Sequence, residues 1–372
     1  MKILYDGNIY AIQSAGGINR YFANLISRLP HHDTPVLTTC RRQHLNYPAH
    51  PNLDLRFFPR PEISGMRRIS YWVGQQYFQT FTQRQSFDLL HPTYYSLLNY
   101  QPIDAYPFPI VLTVHDFIHE RVDPDHQDVK NKHKAILRAQ AIICISENTK
   151  QDLLSYYPFL EDKITVTHLA SEIDVSLAYG VEPVPSQPYF LYVGSRTSYK
   201  NFDGLLTALL KVASVNSELR LCVVGAPFTR QEQTKIAEMG LSDRIQNYGQ
   251  VADRHLAKLY RCSLALVYPS FYEGFGIPPL EAMACETAVI ASNTSSLPEV
   301  IGDAGILFNP ESSSDLAEAL LLLMNSSLER DRLISKGSQR IKQYDWDKTA
   351  AQTFNVYQSV QAVQAVQAVQ AV

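Results

Sequence analysis

Short apolar runs alternate with stretches of helical period along nearly the whole chain. In the first half, KILYD (2–6), TPVLT (34–38), LDLRFF (53–58), DLLHPT (88–93), PIVLTVHD (109–116), QAIICIS (140–146) and KITVTHL (163–169) read as strands. Between many of them, residues 18–29, 70–82, 130–138 and 147–154 carry apolar positions at helical spacing. Apolar, β-branched strands alternating with helices predict a parallel sheet covered on both faces.

The pattern breaks at VSLAYGVEPVPSQP (175–188), which holds three prolines and no helical period. It reads as an interdomain linker. Alternation then restarts. Strands are expected at 188–194, 219–225, 245–249, 264–270, 288–292 and 306–309. Helices are expected at 202–215, 231–239, 253–262, 279–285, 297–301 and 313–324. The expected organisation is an N-terminal domain at 1–174 and a C-terminal domain at 175–343. A helix at 344–360 packs back on the first domain, and a repetitive tail follows at 361–372. The fold class is α/β, with two Rossmann-like, doubly wound parallel-sheet domains facing a cleft. The tail repeats Val-Gln-Ala, and a period of three drifts around any helix, so disorder is expected there.

Composition narrows the function classes. The chain has 372 residues, 45% of them hydrophobic and 19% charged, which is enough to bury two cores. A net charge of −3 sets nucleic-acid binding aside. Residues 1–171 hold 17 Lys+Arg against 15 Asp+Glu, and residues 172–372 hold 16 against 21. Ten of the eleven histidines lie in the first part. Halves of opposite sign suit different ligands, and equally suit chance surface variation. Five scattered cysteines form no Cys-x-x-Cys, which implies a reducing compartment without disulfides or zinc thiolates. MKILYDGNIYAIQ has no leader pattern and no apolar run approaches 18 residues, so a cytoplasmic protein is expected, peripheral contact with a membrane's inner face being the remaining option.

The chemistry concentrates in SFYEGFGIPPLEAMACETAVIAS (270–292). Glu273 and Glu281 flank Gly274, Phe275, Gly276 and Leu280, and Pro278 and Pro279 open a helix. Glycines permit close backbone approach, helix-end amides favour phosphate, and carboxylates accept from vicinal hydroxyls. The segment therefore reads as sugar, phosphate and ribose. Upstream, VGSRTSYKNFDGLLTAL (193–209) places Arg196 and Lys200 between a strand and a helix opened by Asn201. Two cations there suit a diphosphate leaving group.

Two glutamates separated by seven residues around Gly-Phe-Gly resemble the signature of the family 4 retaining glycosyltransferases of the GT-B fold. The resemblance extends over most of the chain. It implies that Arg196 and Lys200 hold the donor diphosphate, that Glu273 binds hydroxyls of the donor sugar, and that Glu281 binds ribose. It further implies that Gly16 and Gly17, before an amphipathic helix, lie against the diphosphate or sugar. His115, at the end of VLTVHDF (111–117), would contact the donor sugar and reaction centre, and Gln250 and Val251 the nucleobase. Arg20, Ser146 and Glu147 are further candidates. YDWDKTAAQTFNVY (344–357) resembles the family's C-terminal crossover helix.

The implied reaction moves a hexosyl unit from a nucleotide diphosphate sugar to an acceptor hydroxyl with retention, in polysaccharide or glycoconjugate assembly. It needs no metal or resident cofactor. UDP-glucose is the expected donor. The alternatives are a GDP-mannose-dependent mannosyltransferase of the same fold and a non-catalytic sugar-nucleotide-binding scaffold. The acceptor is a saccharide or a lipid-linked saccharide. MRRISYWVGQQYFQTF (66–81) gathers Arg67, Arg68, Trp72, Tyr77, Phe78 and Phe81, which suits a membrane face or a helix packing its aromatics inward. Asp123-Pro124-Asp125 looks like a metal-holding DxD but follows no buried strand, so no metal is expected there.

Overall fold

The computed structural model describes residues 1–13, 16–40, 47–57, 67–98, 103 and 106–370. Met66, Ser14, Ala15 and the side chains of Arg67 and Arg68 lie outside the described residues. The chain divides into two compact units, one formed by Met1–Leu169 with Trp346–Val372 and the other by Ala170–Asp345.

The first unit carries strands β1 (Lys2–Asp6), β2 (Thr34–Thr39), β3 (Asp54–Phe57), β4 (Leu89–Leu90), β5 (Val111–Val114), β6 (Ala141–Cys144) and β7 (Ile164–Val166). They pair in parallel in the orders β3-β2-β1-β4 and β5-β6-β7, and a parallel bridge between Leu90 and Ile110 joins the two sets. Residues 3–5 of β1 and 142–144 of β6 are fully buried, as strands covered on both faces must be. β4 is much shorter than expected, yet its extension stays bonded to β1 through the His91 and Thr93 amides, which donate to the Leu4 and Asp6 carbonyls.

Helices α1 (Asn8–Ile12), α2 (Gly17–Ser27), α3 (Arg67–Gln83), α4 (Ile118–Val122), α5 (Gln127–Arg138) and α6 (Glu147–Tyr156) connect these strands. In α2, Tyr21, Phe22, Leu25 and Ile26 are buried at helical spacing. α3 is two-faced. Phe78 is buried edge-on against Tyr106, while Ile69, Trp72, Val73 and Tyr77 are exposed.

In the second unit β8 (Tyr189–Val193), β9 (Arg220–Val224), β10 (Ile245–Gly249), β11 (Ala265–Tyr268), β12 (Val289–Ser292) and β13 (Ile306–Phe308) form one parallel sheet. Its order is β10-β9-β8-β11-β12-β13. It is wrapped by α7 (Phe202–Ala213), α8 (Arg230–Glu238), α9 (Asp253–Cys262), α10 (Ile277–Ala284), α11 (Leu297–Ile301), α12 (Ser313–Asn325) and α13 (Ser327–Arg340). Residues 175–188 are not an open linker. Asp174 caps a 3-10 turn at Val175–Tyr179 that packs on α9, and Lys258 and His255 bond the Gly180 and Pro183 carbonyls.

The chain then returns to the first unit as α14 (Trp346–Gln370). Trp346, Thr349, Ala350, Thr353, Val356, Tyr357 and Val360 form its buried stripe, and it packs on α2 and β6. The expectation of a disordered tail is corrected here, because the helix continues through Gln370. Val, Gln and Ala contain no breaker, and extending an anchored helix avoids the cost of nucleation. The period-three drift is nonetheless visible, since Val360 is buried while Val363 and Val366 face water.

Tyr357 carries this helix into a dry polar chain. Its hydroxyl lies 3.1 Å from the Tyr5 hydroxyl and 2.6 Å from His91 Nδ1. His91 Nε2 lies 2.8 Å from Thr113 Oγ1, which lies 3.1 Å from the Tyr21 hydroxyl. Burial pushes the His91 imidazole down to about 3 from its ordinary 6.5, with His115 adding a smaller push in the same direction.

Two outcomes follow. Tyr357→Phe should cost about 1–3 kcal/mol in urea unfolding, because His91 Nδ1 loses its buried partner. An unchanged midpoint would remove the chain from the stabilising contacts. The unfolded chain also binds the His91 proton more readily than the folded one. Stability should therefore fall as pH drops below about 6.5, by on the order of 2 kcal/mol at pH 5. A flat melting temperature across that window would contradict the buried neutral imidazole.

Candidate active site

In the second unit, strand order reverses between β8 and β11: β9 and β10 lie to one side, β12 and β13 to the other. Ligands of doubly wound sheets bind beyond the strand ends at such a point. The loops leaving β8 and β11 are tied together there, the Phe271 amide donating to the Tyr199 carbonyl at 2.8 Å. Close packing of neighbouring loops demands glycine. A Cβ on Gly225 (φ +155°) would sit 2.3 Å from the Gly194 oxygen, and one on Gly276 (φ +99°) 2.8 Å from Leu297 Cδ2.

This junction brings Lys200 and Glu273 together. Lys200 Nζ donates to both Glu273 carboxylate oxygens, at 2.6 and 2.9 Å, and lies 3.4 Å from the Tyr268 hydroxyl. Glu273 is 6% exposed. Its amide donates to Ser295 Oγ at 2.9 Å, and Ser296 Oγ lies 3.0 and 2.9 Å from the Glu273 and Phe275 carbonyls. Ser295 takes a left-handed φ of 51° to do so.

Arg196 is paired elsewhere. Nε donates to Glu232 Oε1 at 2.6 Å, Nη2 donates to the Pro227 carbonyl at 3.0 Å, and the guanidinium lies 4.7 Å from the Phe228 ring centroid. Nη1 is buried with no hydrogen-bond partner among the described residues. Burial alone would raise the Glu232 carboxyl, but Arg196 and the Thr229 capping box of α8 together hold it below its ordinary range. Each cation of the expected diphosphate pair therefore has its own carboxylate.

Glu281 lies in the second turn of α10, buried, with Oε2 accepting from the Tyr260 hydroxyl at 2.9 Å. The first four residues of α10 are Ile277, Pro278, Pro279 and Leu280, so only Ile277 and Leu280 carry amides. That is a poorer anion terminus than the sequence expectation. Gly274, Phe275 and Leu280 are buried, Phe275 with its ring edge-on to Tyr344. Asn201 precedes α7 in a left-handed conformation and makes no side-chain cap, and its Nδ2 donates to the Pro310 carbonyl at 2.9 Å. Val251 is half-buried and Gln250 exposed after β10.

Gly16, Gly17 and His115 belong to the first unit. Gly16 precedes α2 in an extended conformation, where a Cβ would meet Gln13 Oε1 at 2.4 Å, and Gly17 is the first helical residue. Arg20 is half-buried one turn on. His115 follows β5 directly and is buried, its amide donating to the Tyr95 hydroxyl at 3.1 Å and its ring 5.5 Å from that of Tyr21. Burial pushes its imidazole down to about 4, against Asp116 and with Lys132. It is therefore neutral at pH 7 and offers hydrogen bonds rather than charge. Ser146 is a helix cap, its Oγ accepting from the Thr149 amide at 3.0 Å, and Glu147 begins α6 behind it.

Sequence reasoning missed the ion pair behind His115. Lys132 Nζ donates to Glu120 Oε2 at 2.8 Å and to the Asp116 carbonyl at 2.9 Å, with side chains 1% and 3% exposed. Its signal was present: Lys132 falls on the α5 stripe with Val129, Ala135 and Ile136. Glu232, Tyr260, Ser295 and Ser296 were also missed, because distant segments bring them in.

Two family descriptions match this chain. Residues 15–173 match Glycosyltransferase Family 4, and residues 181–340 match Glycosyl transferases group 1. An O-antigen chain mannosyltransferase B of Escherichia coli is 31% identical over 62% of this chain, which spans 63% of that protein. An alpha-maltose-1-phosphate synthase of Mycobacterium tuberculosis is 29% identical over 73% of this chain and 78% of its own length. The fold is shared with a sucrose-phosphate synthase of Thermosynechococcus elongatus, at TM-score 0.77 and 21% identity over 98% of this chain and 100% of the other. Matched in both halves and sharing the two-domain GT-B fold, the chain belongs to the group 1 glycosyltransferases of the family 4 type.

Proposed function

We propose that this glycosyltransferase moves a hexosyl unit from a nucleotide diphosphate sugar to a saccharide hydroxyl, with retention and without a catalytic metal. The observation that carries the reading is the buried Lys200–Glu273 pair at the strand-order reversal of the second unit. In this reading Glu273 accepts from donor-sugar hydroxyls, and Lys200 turns a donor toward the diphosphate. Arg196 supplies the buried Nη1 to the same leaving group, Glu281 and Tyr260 meet the ribose, and the loop at Gln250 and Val251 meets the base. Gly16 and Gly17 admit the diphosphate or donor sugar closely, and neutral His115 hydrogen-bonds the donor sugar. Catalysis is then orientation with electrostatic stabilisation of the leaving diphosphate.

UDP-glucose is the donor read from the sequence resemblance, and mannosyl transfer from GDP-mannose stands level with it, supported by the mannosyltransferase relative. The same relative supports a lipid-linked saccharide acceptor in polysaccharide assembly. No described helix is long and apolar enough to cross a membrane. The exposed Trp72 and Tyr77 of α3 suit peripheral contact with a bilayer on the cytoplasmic side.

The purified chain incubated with GDP-mannose, UDP-glucose, UDP-galactose, UDP-GlcNAc and ADP-glucose should release one nucleoside diphosphate selectively, in EDTA as without it. Release of UDP alone overturns the mannosyl reading. Release of nothing, with a thermal shift from UDP or GDP, favours the binding scaffold, and neither release nor shift removes the sugar-nucleotide site altogether. An inverted anomeric centre in the product, read by NMR, excludes retention. Lys200→Ala should lower kcat/KM by about 10–150-fold, the equivalent of one charge-assisted hydrogen bond of about 1.5–3 kcal/mol. Unchanged turnover would remove Lys200 from the site. On vesicles of anionic phospholipid, Trp72→Ser with Tyr77→Ser should abolish co-sedimentation, and equal binding by both proteins would remove α3 as the contact.

A further inference from the structure

The first unit holds a second polar cluster that the transfer reaction does not use. His119 on α4, His126 at the cap of α5 and Asp128 in the first turn of α5 place one ligand atom each within 4.8 Å of one another. We propose that these three residues bind one divalent transition-metal ion, and that the ion clips α4 to the start of α5. Two imidazoles and a carboxylate are the donor set of zinc and its neighbours, with water completing the coordination.

The geometry is close to what such an ion needs. His126 Nδ1 and Asp128 Oδ2 are 3.7 Å apart, against about 3.4 Å between ligands of a tetrahedral zinc with bonds of 2.0–2.1 Å. The rings of His119 and His126 are stacked, parallel at 7° with centroids 4.8 Å apart, so the exposed His126 turns out of the stack to bring both nitrogens onto one ion. The carboxylate is already oriented: the Tyr94 hydroxyl donates to Asp128 Oδ2 at 3.2 Å, as outer partners of metal ligands do. Without metal, His126 Nδ1 accepts the Asp128 amide at 3.2 Å, and binding exchanges that cap for a coordinate bond.

The position gives the ion a task. α4 and α5 follow directly from His115 and Asp116, and on their inner side Lys132 and Glu120 already join them. The ion would add an outer clasp to the same pair of helices. The Asp123-Pro124-Asp125 motif lies between the ligands in sequence but supplies none of them.

The test is zinc titration of the tag-free full chain by calorimetry, with Co²⁺ absorption as a report of coordination geometry. His126→Asn keeps a capping acceptor at the start of α5, so this variant tests the ligand without removing the cap. His119→Gln tests the partner helix. Wild type should bind one Zn²⁺ and give tetrahedral Co²⁺ bands, and each variant should bind at least about tenfold more weakly with the bands lost. Zinc affinity unchanged in both variants, or no binding by wild type at millimolar Zn²⁺, overturns the proposal. Donor turnover is a separate readout, so failure here leaves the transferase reading standing.

Discussion

Glu273 is a deeply buried carboxylate with a cation beside it, and the loop leaving a neighbouring strand supplies that cation. β8 and β11 are adjacent and parallel, so their loops emerge side by side. Lys200 from one neutralises Glu273 from the other, at an energetic cost that rises steeply if either is removed. The remaining features of the junction serve that pairing. The Phe271 amide locks the loops, Ser295 accepts a strained conformation to hold the Glu273 amide, and Gly276 lets Leu297 close in behind it. On the proposed reading, a donor entering the site would exchange partners with groups that are already desolvated and oriented.

The same device recurs with different purposes. Arg196 and Glu232 fasten the loop after β8 to the start of α8, while Nη1, with no partner among the described residues, leaves that guanidinium with capacity to spare. Lys132 and Glu120 lie deeper, and one of the lysine's bonds goes to the backbone just after His115. The first pair can respond to an anion. The second, almost closed to water, can only hold shape.

What was legible in the sequence follows from the range of the forces involved. Strands buried on both faces announce themselves as apolar runs, and β1, β10, α9 and α11 fall where the pattern places them. α13 was missed although Ser326 caps it three residues before Glu329, because Leu333 and Gly337 are the only buried positions of a mostly polar helix. Glu273, Glu281, Arg196 and Lys200 were legible as a spaced pattern. Their partners were not. Glu232 is 36 residues from Arg196 and Tyr260 is 21 from Glu281, and no local period connects them. The His119–His126–Asp128 cluster was hidden for the same reason, since a turn between two helices, not a spacing rule, assembles it.

The C-terminal helix shows how anchoring overrides pattern. Its first half earns its place through a regular buried stripe that ends near Val360, with Tyr357 closing the hydrogen-bond chain from Tyr5 through His91 to Tyr21. Its second half has no stripe at all. Each Val-Gln-Ala unit advances about 300°, so successive valines turn about 60° away from the core. Sequence pattern alone therefore predicts no structure. Yet nucleation is already complete at Trp346, and each further residue adds a hydrogen bond without a new nucleus. A weak helical sequence is ordered because the strong one precedes it.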